Sequence, residues 1–160
     1  RDGGKYYKWD YDYGDVINLI GGYKINYKKY DWYQKYKRSR WSYLIGLIPF
    51  APSDEYEISF KFRYLGGRPY TAKAYDHNIR EWYTASVEDW NTERYGSYFR
   101  FDLMLQQRYY FDKTNIVIFY DFLNLFNRDN EWENIHLDDG TKKMAYQYKT
   151  IPTAGFIIEF

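Results

Sequence analysis

The chain has 160 residues, enough for one domain of ordinary size, and a net charge of +1. So even a balance gives no charge-based case for a nucleic acid or an acidic partner. With no cysteine, disulfides and thiolate metal sites are excluded.

Aromatic residues make up 24% of the chain, with 22 Tyr, 11 Phe and 6 Trp, yet 28% of residues are charged and mean hydropathy is −0.80. The apolar residues are therefore dispersed. No run approaches the ~18 apolar residues of a membrane helix. The longest, Leu44–Ala51, is interrupted by Pro49. A strand-built membrane barrel stays open, because its strands give a weak hydropathy signal.

Five segments carry the period of two expected of strands. Residues 15–26 set Ile17, Leu19, Tyr23 and Ile25 against Asn18 and Lys24. Residues 27–54 are basic and aromatic. Helical spacing there groups Tyr33, Tyr36 and Arg40, and also Trp41, Leu44, Ile45 and Ile48. This predicts a short amphipathic helix at a membrane–water boundary, where Trp, Tyr and Lys/Arg collect. The alternative is an extra hairpin lengthening the adjacent strands.

Residues 55–66 alternate most cleanly, with Tyr56, Ile58, Phe60, Phe62 and Tyr64 against Glu57, Ser59, Lys61 and Arg63. Residues 66–96 form a long polar loop. Residues 97–111 set Phe99, Phe101, Leu103, Leu105 and Tyr109 against Arg100, Asp102, Gln106 and Arg108, with Gln107 an exception on the apolar face. A tight turn at 112–115 leads into residues 114–126, where Ile116, Ile118, Tyr120 and Phe122 share a face. A second long loop, 127–147, precedes the last strand, 148–160. There Ala154, Phe156, Ile158 and the terminal Phe160 face one way, and Gly155 and Glu159 the other.

Apolar on one side, polar on the other, with connections of unequal length: this predicts an all-β antiparallel meander from a transmembrane β-barrel. The polar charges Glu57, Lys61, Arg63, Arg100, Asp102 and Arg108 would face the lumen, where they would pair across neighbouring strands or line a ligand path. Both long loops would be extracellular, and 27–54 periplasmic. Asp76, His77, Glu81, Trp82 and Trp90 suit either ligand capture or an aromatic girdle at the outer interface.

Three stretches resemble TonB-dependent outer-membrane receptors. Phe62-Arg-Tyr-Leu-Gly-Gly-Arg-Pro-Tyr-Thr71 resembles the family's aromatic strand leading into Gly-Gly-x-Pro-Tyr-Thr. Asn91-Thr-Glu-Arg-Tyr-Gly-Ser-Tyr-Phe-Arg-Phe-Asp102 resembles its Asn-x-x-Arg-x-Pro-x-Tyr-x-Arg-Leu-Asp strand entry, with Gly96 for Pro and Phe101 for Leu. Asp121-Phe-Leu-Asn-Leu-Phe-Asn127 resembles its penultimate strand ending, and Phe160 the aromatic end that barrels share.

The resemblance implies the C-terminal part of a 22-stranded barrel in the bacterial outer membrane. Such a receptor takes up a scarce nutrient when its plug domain moves, driven by the TonB complex through a segment near the N-terminus. The implied partners are the lipid bilayer, the remaining strands and plug, TonB, and the barrel assembly machinery at the last strand. No cofactor and no nucleic acid is implied. Nothing in the chain resembles a plug, and it begins at Arg1 without an initiator Met or signal peptide, so either such a peptide has been removed or a longer parent is expected. The alternatives are a small self-contained outer-membrane barrel with a structural or adhesive role, and a soluble lipocalin-like binder.

Enzymatic chemistry has little footing. His77 and His136 fall in predicted loops, no Gly-x-Ser-x-Gly or His-Glu-x-x-His occurs, and Asp138-Asp139-Gly140 reads as a turn.

Overall fold

The computed structural model describes residues 8–39, 42, 45–84 and 86–160. Eleven strands are formed by these residues: β1 Val16–Asn26, β2 Glu55–Leu65, β3 Pro69–Tyr70, β4 Ala74–Asp76, β5 Glu81–Tyr83, β6 Glu93–Arg94, β7 Tyr98–Tyr110, β8 Asn115–Leu123, β9 Glu131–His136, β10 Lys142–Tyr146 and β11 Ile151–Glu159. The helix α1 spans Asp31–Lys37. The chain divides into two compact units.

The sheet unit comprises residues 19–62, 100–127 and 150–160. It is built on a five-stranded sheet in the order β1-β2-β7-β8-β11. These are the five segments that the alternation predicts, in chain order. β7 and β8 pair antiparallel from Leu103↔Phe122 to Tyr110↔Asn115, and β8 and β11 from Leu123↔Ile151 to Asn115↔Glu159.

Paired residues share a face. Leu103, Leu105, Gln107 and Tyr109 therefore stand with Phe122, Tyr120, Ile118 and Ile116, and these with Pro152, Ala154, Phe156 and Ile158. Gln106, Arg108, Phe119, Val117, Gly155 and Ile157 take the opposite face.

Rings join the strands. Phe60 stacks on Phe101 with centroids 5.9 Å apart, and Phe101 lies 5.3 Å from Phe126. Two strand glycines leave room for rings: a Cβ on Gly21 would lie 2.7 Å from the Phe60 ring, and one on Gly155 2.6 Å from Phe119. Leu105 and Val117 are buried, whereas Leu19 is 55% and Phe156 70% exposed.

The 27–54 connection contains the expected short helix, α1, and among its described residues no strand. Asp31 in its first turn and Lys35 and Lys37 in its last suit the helix dipole. Tyr33 is buried and Tyr36 half-buried; Arg40, Trp41 and Leu44 of the expected apolar groupings lie outside the described residues. Buried Asp54 anchors the connection. Its carboxylate accepts from Lys37 Nζ at 2.7 and 2.8 Å and from the Tyr110 N–H at 2.7 Å, and its carbonyl accepts from the Tyr27 N–H at 3.0 Å. Burial, then the Asp54 carboxylate, pushes the Tyr33 phenol well above its ordinary pKa.

The loop unit comprises residues up to 18, 63–99 and 128–149. The sequence pattern predicted these loops without strands. They contain three short antiparallel pairs, β3–β6, β4–β5 and β9–β10. The longest, β9–β10, is closed by the turn at Asp138–Gly140, where Gly140 has φ +83° and the Asp139 carboxylate accepts from the Thr141 N–H and hydroxyl.

Candidate functional site

Four of the six charges expected on the polar face, Glu57, Arg100, Asp102 and Arg108, form ion pairs. Lys24 reaches Glu55 at 3.4 Å and Glu57 at 3.8 Å; Arg100 reaches Asp102 at 2.9 Å, and Arg108 reaches Glu159 at 3.1 Å. Lys61 is half-buried, and Phe160, beyond β11, is fully exposed.

Two of the quoted motifs meet here. Asp102 ends one of them, is only 7% exposed, and accepts the Asn124 N–H at 2.9 Å. Asn124 and Asn127 both hold positive φ, 51° and 53°, where asparagine is tolerated better than most side chains. The Asn127 N–H donates to the Asn124 carbonyl, Thr150 Oγ1 donates to the same carbonyl at 2.7 Å, and the Thr150 N–H donates to Asn127 Oδ1. The motif residues thus fix the exit of β8 and the approach to β11. They are structural, not reactive.

In the loop unit the motif residues also hold backbone. A Cβ on Gly66 would lie 2.0 Å from the Tyr13 carbonyl oxygen, and one on Gly67 1.8 Å from that of Tyr95, so both positions require glycine. The Arg94 guanidinium donates to the Asp12 and Gly67 carbonyls at 2.6 and 2.7 Å and to the Asp12 carboxylate at 2.9 Å. Arg63, expected among the lumen charges, donates to Asn18 Oδ1 at 3.0 Å. Buried Asn130 bonds both the N–H and the carbonyl of Phe99 at 2.9 Å, acting as a strand partner there. No pattern in the sequence signals that role.

Of the five loop candidates, the β4–β5 hairpin and its turn carry four. Asp76 pairs in register with Glu81, and Tyr75 with Trp82; Asp76 also accepts the Asn78 N–H at 2.8 Å, and His77 follows. Trp82 is the hub. Its indole N–H donates to the Leu137 carbonyl at 2.8 Å, and its ring lies 5.1 Å from Tyr75 and 4.5 Å from His136. Lys142 sits 5.6 Å above it, and Tyr75 makes an edge contact with His77 at 5.0 Å. The Tyr75 hydroxyl donates to the Asp138 carbonyl.

His136, from β9, completes the cluster and was not among the sequence candidates. Burial, followed by Lys73 and Lys142, holds its imidazole below the ordinary range and favours the neutral ring. Trp90 instead closes a separate short turn at Val87–Asp89, its N–H donating to the Val87 carbonyl.

A second feature of this unit is an open cleft of about 430 Å³ lined by Trp132, Tyr146, Gln147 and Tyr148. Its size lies in the range of small-ligand sites, and its walls are largely aromatic. Arg68 backs it, stacked 5.2 Å from both Tyr95 and Trp132 and donating to the Trp132 carbonyl at 2.7 Å. Its lining offers aromatic surface and, at Gln147, an amide able both to donate and to accept. Among the described residues no three His, Asp or Glu side chains are grouped to hold a metal ion. No family model matches this chain, and neither a curated protein nor a solved structure does.

Proposed function

We propose that this chain is the C-terminal part of the β-barrel of a TonB-dependent outer-membrane receptor, a transporter for a scarce nutrient. The observation that carries this reading is the sidedness of the five-stranded sheet. Its charged side chains pair on one face, where exposed Ile20 and Ile157 are apolar exceptions, while Leu19, Tyr23, Phe156 and Ile158 stand exposed on the other. Exposed apolar surface of that kind marks an interaction with lipid or protein. β1 and β11 each have one sheet neighbour among the described residues. In a bilayer every backbone polar group needs a partner, so further strands must pair with them.

On this reading the paired charges line the barrel interior against a plug, the cleft beside Trp132 is where ligand is first held, and β11 presents its aromatic end to the assembly machinery. The motif residues support the family reading, because each fixes a strand end or a loop entry that such a barrel must repeat.

The test uses the absence of native cysteine. Single cysteines along β11, carrying an environment-sensitive dye, are read in vesicles of acyl-brominated lipid. Dyes at Ala154, Phe156 and Ile158 are quenched, and those at Thr153 and Ile157 are not. Ile157 is decisive: hydrophobicity alone sends it to lipid, whereas the register assigns it to the polar face. Quenching at Ile157 equal to that at Phe156 defeats the reading.

A further inference from the structure

The segment Gly46–Ala51 is folded inside out. Its carbonyls are satisfied by side chains of the sheet's apolar face. Tyr109 Oη donates to the Gly46 carbonyl at 2.9 Å, Tyr120 Oη to that of Leu47, and Tyr56 Oη to that of Pro49 at 2.7 Å. The buried Gln107 amide donates to both the Ile48 and Ala51 carbonyls, at 2.9 and 2.8 Å. Meanwhile Leu47 is 68%, Ile48 51% and Phe50 75% exposed.

A surface loop in water usually does the reverse, leaving carbonyls to the solvent and turning large apolar side chains inward. Carbonyls bonded within the protein beneath apolar side chains suit a medium without water.

Charge specifies that medium further. Residues 27–54 hold six Lys/Arg (28, 29, 35, 37, 38 and 40) against Asp31 and Asp54, in a chain whose total is +1. Tyr30 and Trp32, about half exposed beside these lysines, are the residue types that settle at headgroup depth.

We infer that residues 27–54 form a lipid-binding collar. Leu47, Ile48 and Phe50 enter the boundary between headgroups and acyl chains, and the lysines around α1 contact anionic headgroups. The sheet's tyrosines and Gln107 are what hold the segment in this orientation. This rests on the membrane reading of the sheet.

The experiment separates the two. The chain is inserted into phosphatidylcholine vesicles with and without phosphatidylglycerol, as the variants Phe50→Cys and Phe156→Cys carrying an environment-sensitive dye. Quenchers are placed at headgroup depth or mid-chain. The collar requires the dye at position 50 to be quenched by the shallow quencher, more strongly when phosphatidylglycerol is present. Replacing Lys28, Lys29 and Lys35 by Glu lowers the affinity for those anionic vesicles by at least about tenfold.

A dye at position 50 that stays water-accessible, while the one at 156 is quenched mid-chain, overturns the collar and leaves the membrane reading standing. Quenching at neither position overturns both. Shielding of position 50 without lipid, rising with protein concentration, overturns the collar in favour of a second copy of the chain. Indifference to phosphatidylglycerol overturns the anionic headgroup as partner.

Discussion

The sheet unit and the loop unit are both rich in rings and hold them on different scaffolds. In the loop unit, rings are paired with cations, imidazole and carbonyls: Arg68 between Tyr95 and Trp132, Lys142 and His136 on Trp82, and the Trp82 indole on the Leu137 carbonyl. Such contacts hold in water. In the sheet unit, Lys28 and Lys37 likewise lie over the Tyr110 and Phe111 rings, and Tyr56, Tyr109 and Tyr120 donate to carbonyls, but Phe156 and Phe50 are left outside. On the membrane reading proposed above, the loop unit would lie in solvent and the sheet unit in a medium that accepts apolar side chains.

The comparison breaks most visibly under an added charge. Leu103→Arg, on the apolar face of β7, is expected to cost about 2–4 kcal/mol when refolding is measured in lipid. Val87→Arg, in an exposed turn of the loop unit, is expected to change stability by no more than about 0.5 kcal/mol. Equal costs would remove the distinction between the two environments.

Asp102→Ala sharpens it from the polar side. Asp102 is nearly buried, accepts the Asn124 N–H and pairs with Arg100, so its loss strands a backbone donor and a half-buried guanidinium. A charge-assisted bond of this kind contributes about 1.5–3 kcal/mol, read as a lowered denaturant midpoint with unchanged slope. Asp102→Asn retains an acceptor for Asn124 and recovers part of the loss.

In the loop unit, Trp82→Ala removes the bond to Leu137 and the contacts with Tyr75 and His136 together. At the low end of their ranges, two aromatic contacts and one hydrogen bond of this kind sum to about 1.5 kcal/mol. The loss is local and appears as faster hydrogen exchange at β9 and β10 amides, while β7 and β8 keep their protection. Uniform loss across both units would mean that the two are one cooperative body.

Of the five long strands, β2 and β7 were legible from period-two alternation over most of their length, and β1, β8 and β11 from one continuous apolar face, despite apolar residues such as Ile20, Val117, Phe119 and Ile157 on the other. The short pairs were not. β3 and β6 have two residues each, and β9, Glu131–His136, sets no apolar face against a polar one. The helix in 27–54 was visible from its aromatic spacing. The docking of Gly46–Ala51 was not, because a carbonyl acceptor has no sequence signature; its one trace was Gln107, a polar residue on an apolar face. At the site, pairing across neighbouring strands was expected and holds for Lys24 with Glu55 and Glu57; Arg100–Asp102 instead forms within β7, and Arg108 reaches past β8 to Glu159 on β11. His136 and Asn130 escaped notice because their partners, Trp82 and Phe99, come from other elements, and no periodicity links them.

The smallest expected effect is a pH response confined to the loop unit. His136 is held below the ordinary histidine value of about 6.5, chiefly by burial and then by Lys73 and Lys142. The folded state therefore keeps the neutral ring, while the unfolded state takes up a proton near the ordinary value. Stability is greatest where both states are neutral, at higher pH. It falls as pH drops through about 6.5, and levels off below the folded-state value, where both states are protonated. Asp139 acts in the same sense but in a lower window: its carboxylate is held low by the Thr141 hydroxyl and N–H, so its contribution is also lost as pH falls, only in the carboxylate range, well below the histidine window. In a His77→Gln background one imidazole remains, and its proton resonances report His136 alone. The expected result is a midpoint below about 6.5, with exchange at β9–β10 amides accelerating through the same window. His136→Phe keeps the ring contact with Trp82 and abolishes the dependence. A midpoint above the ordinary value would mean that the ring is stabilised as a cation, and that the lysines around it do not govern its charge.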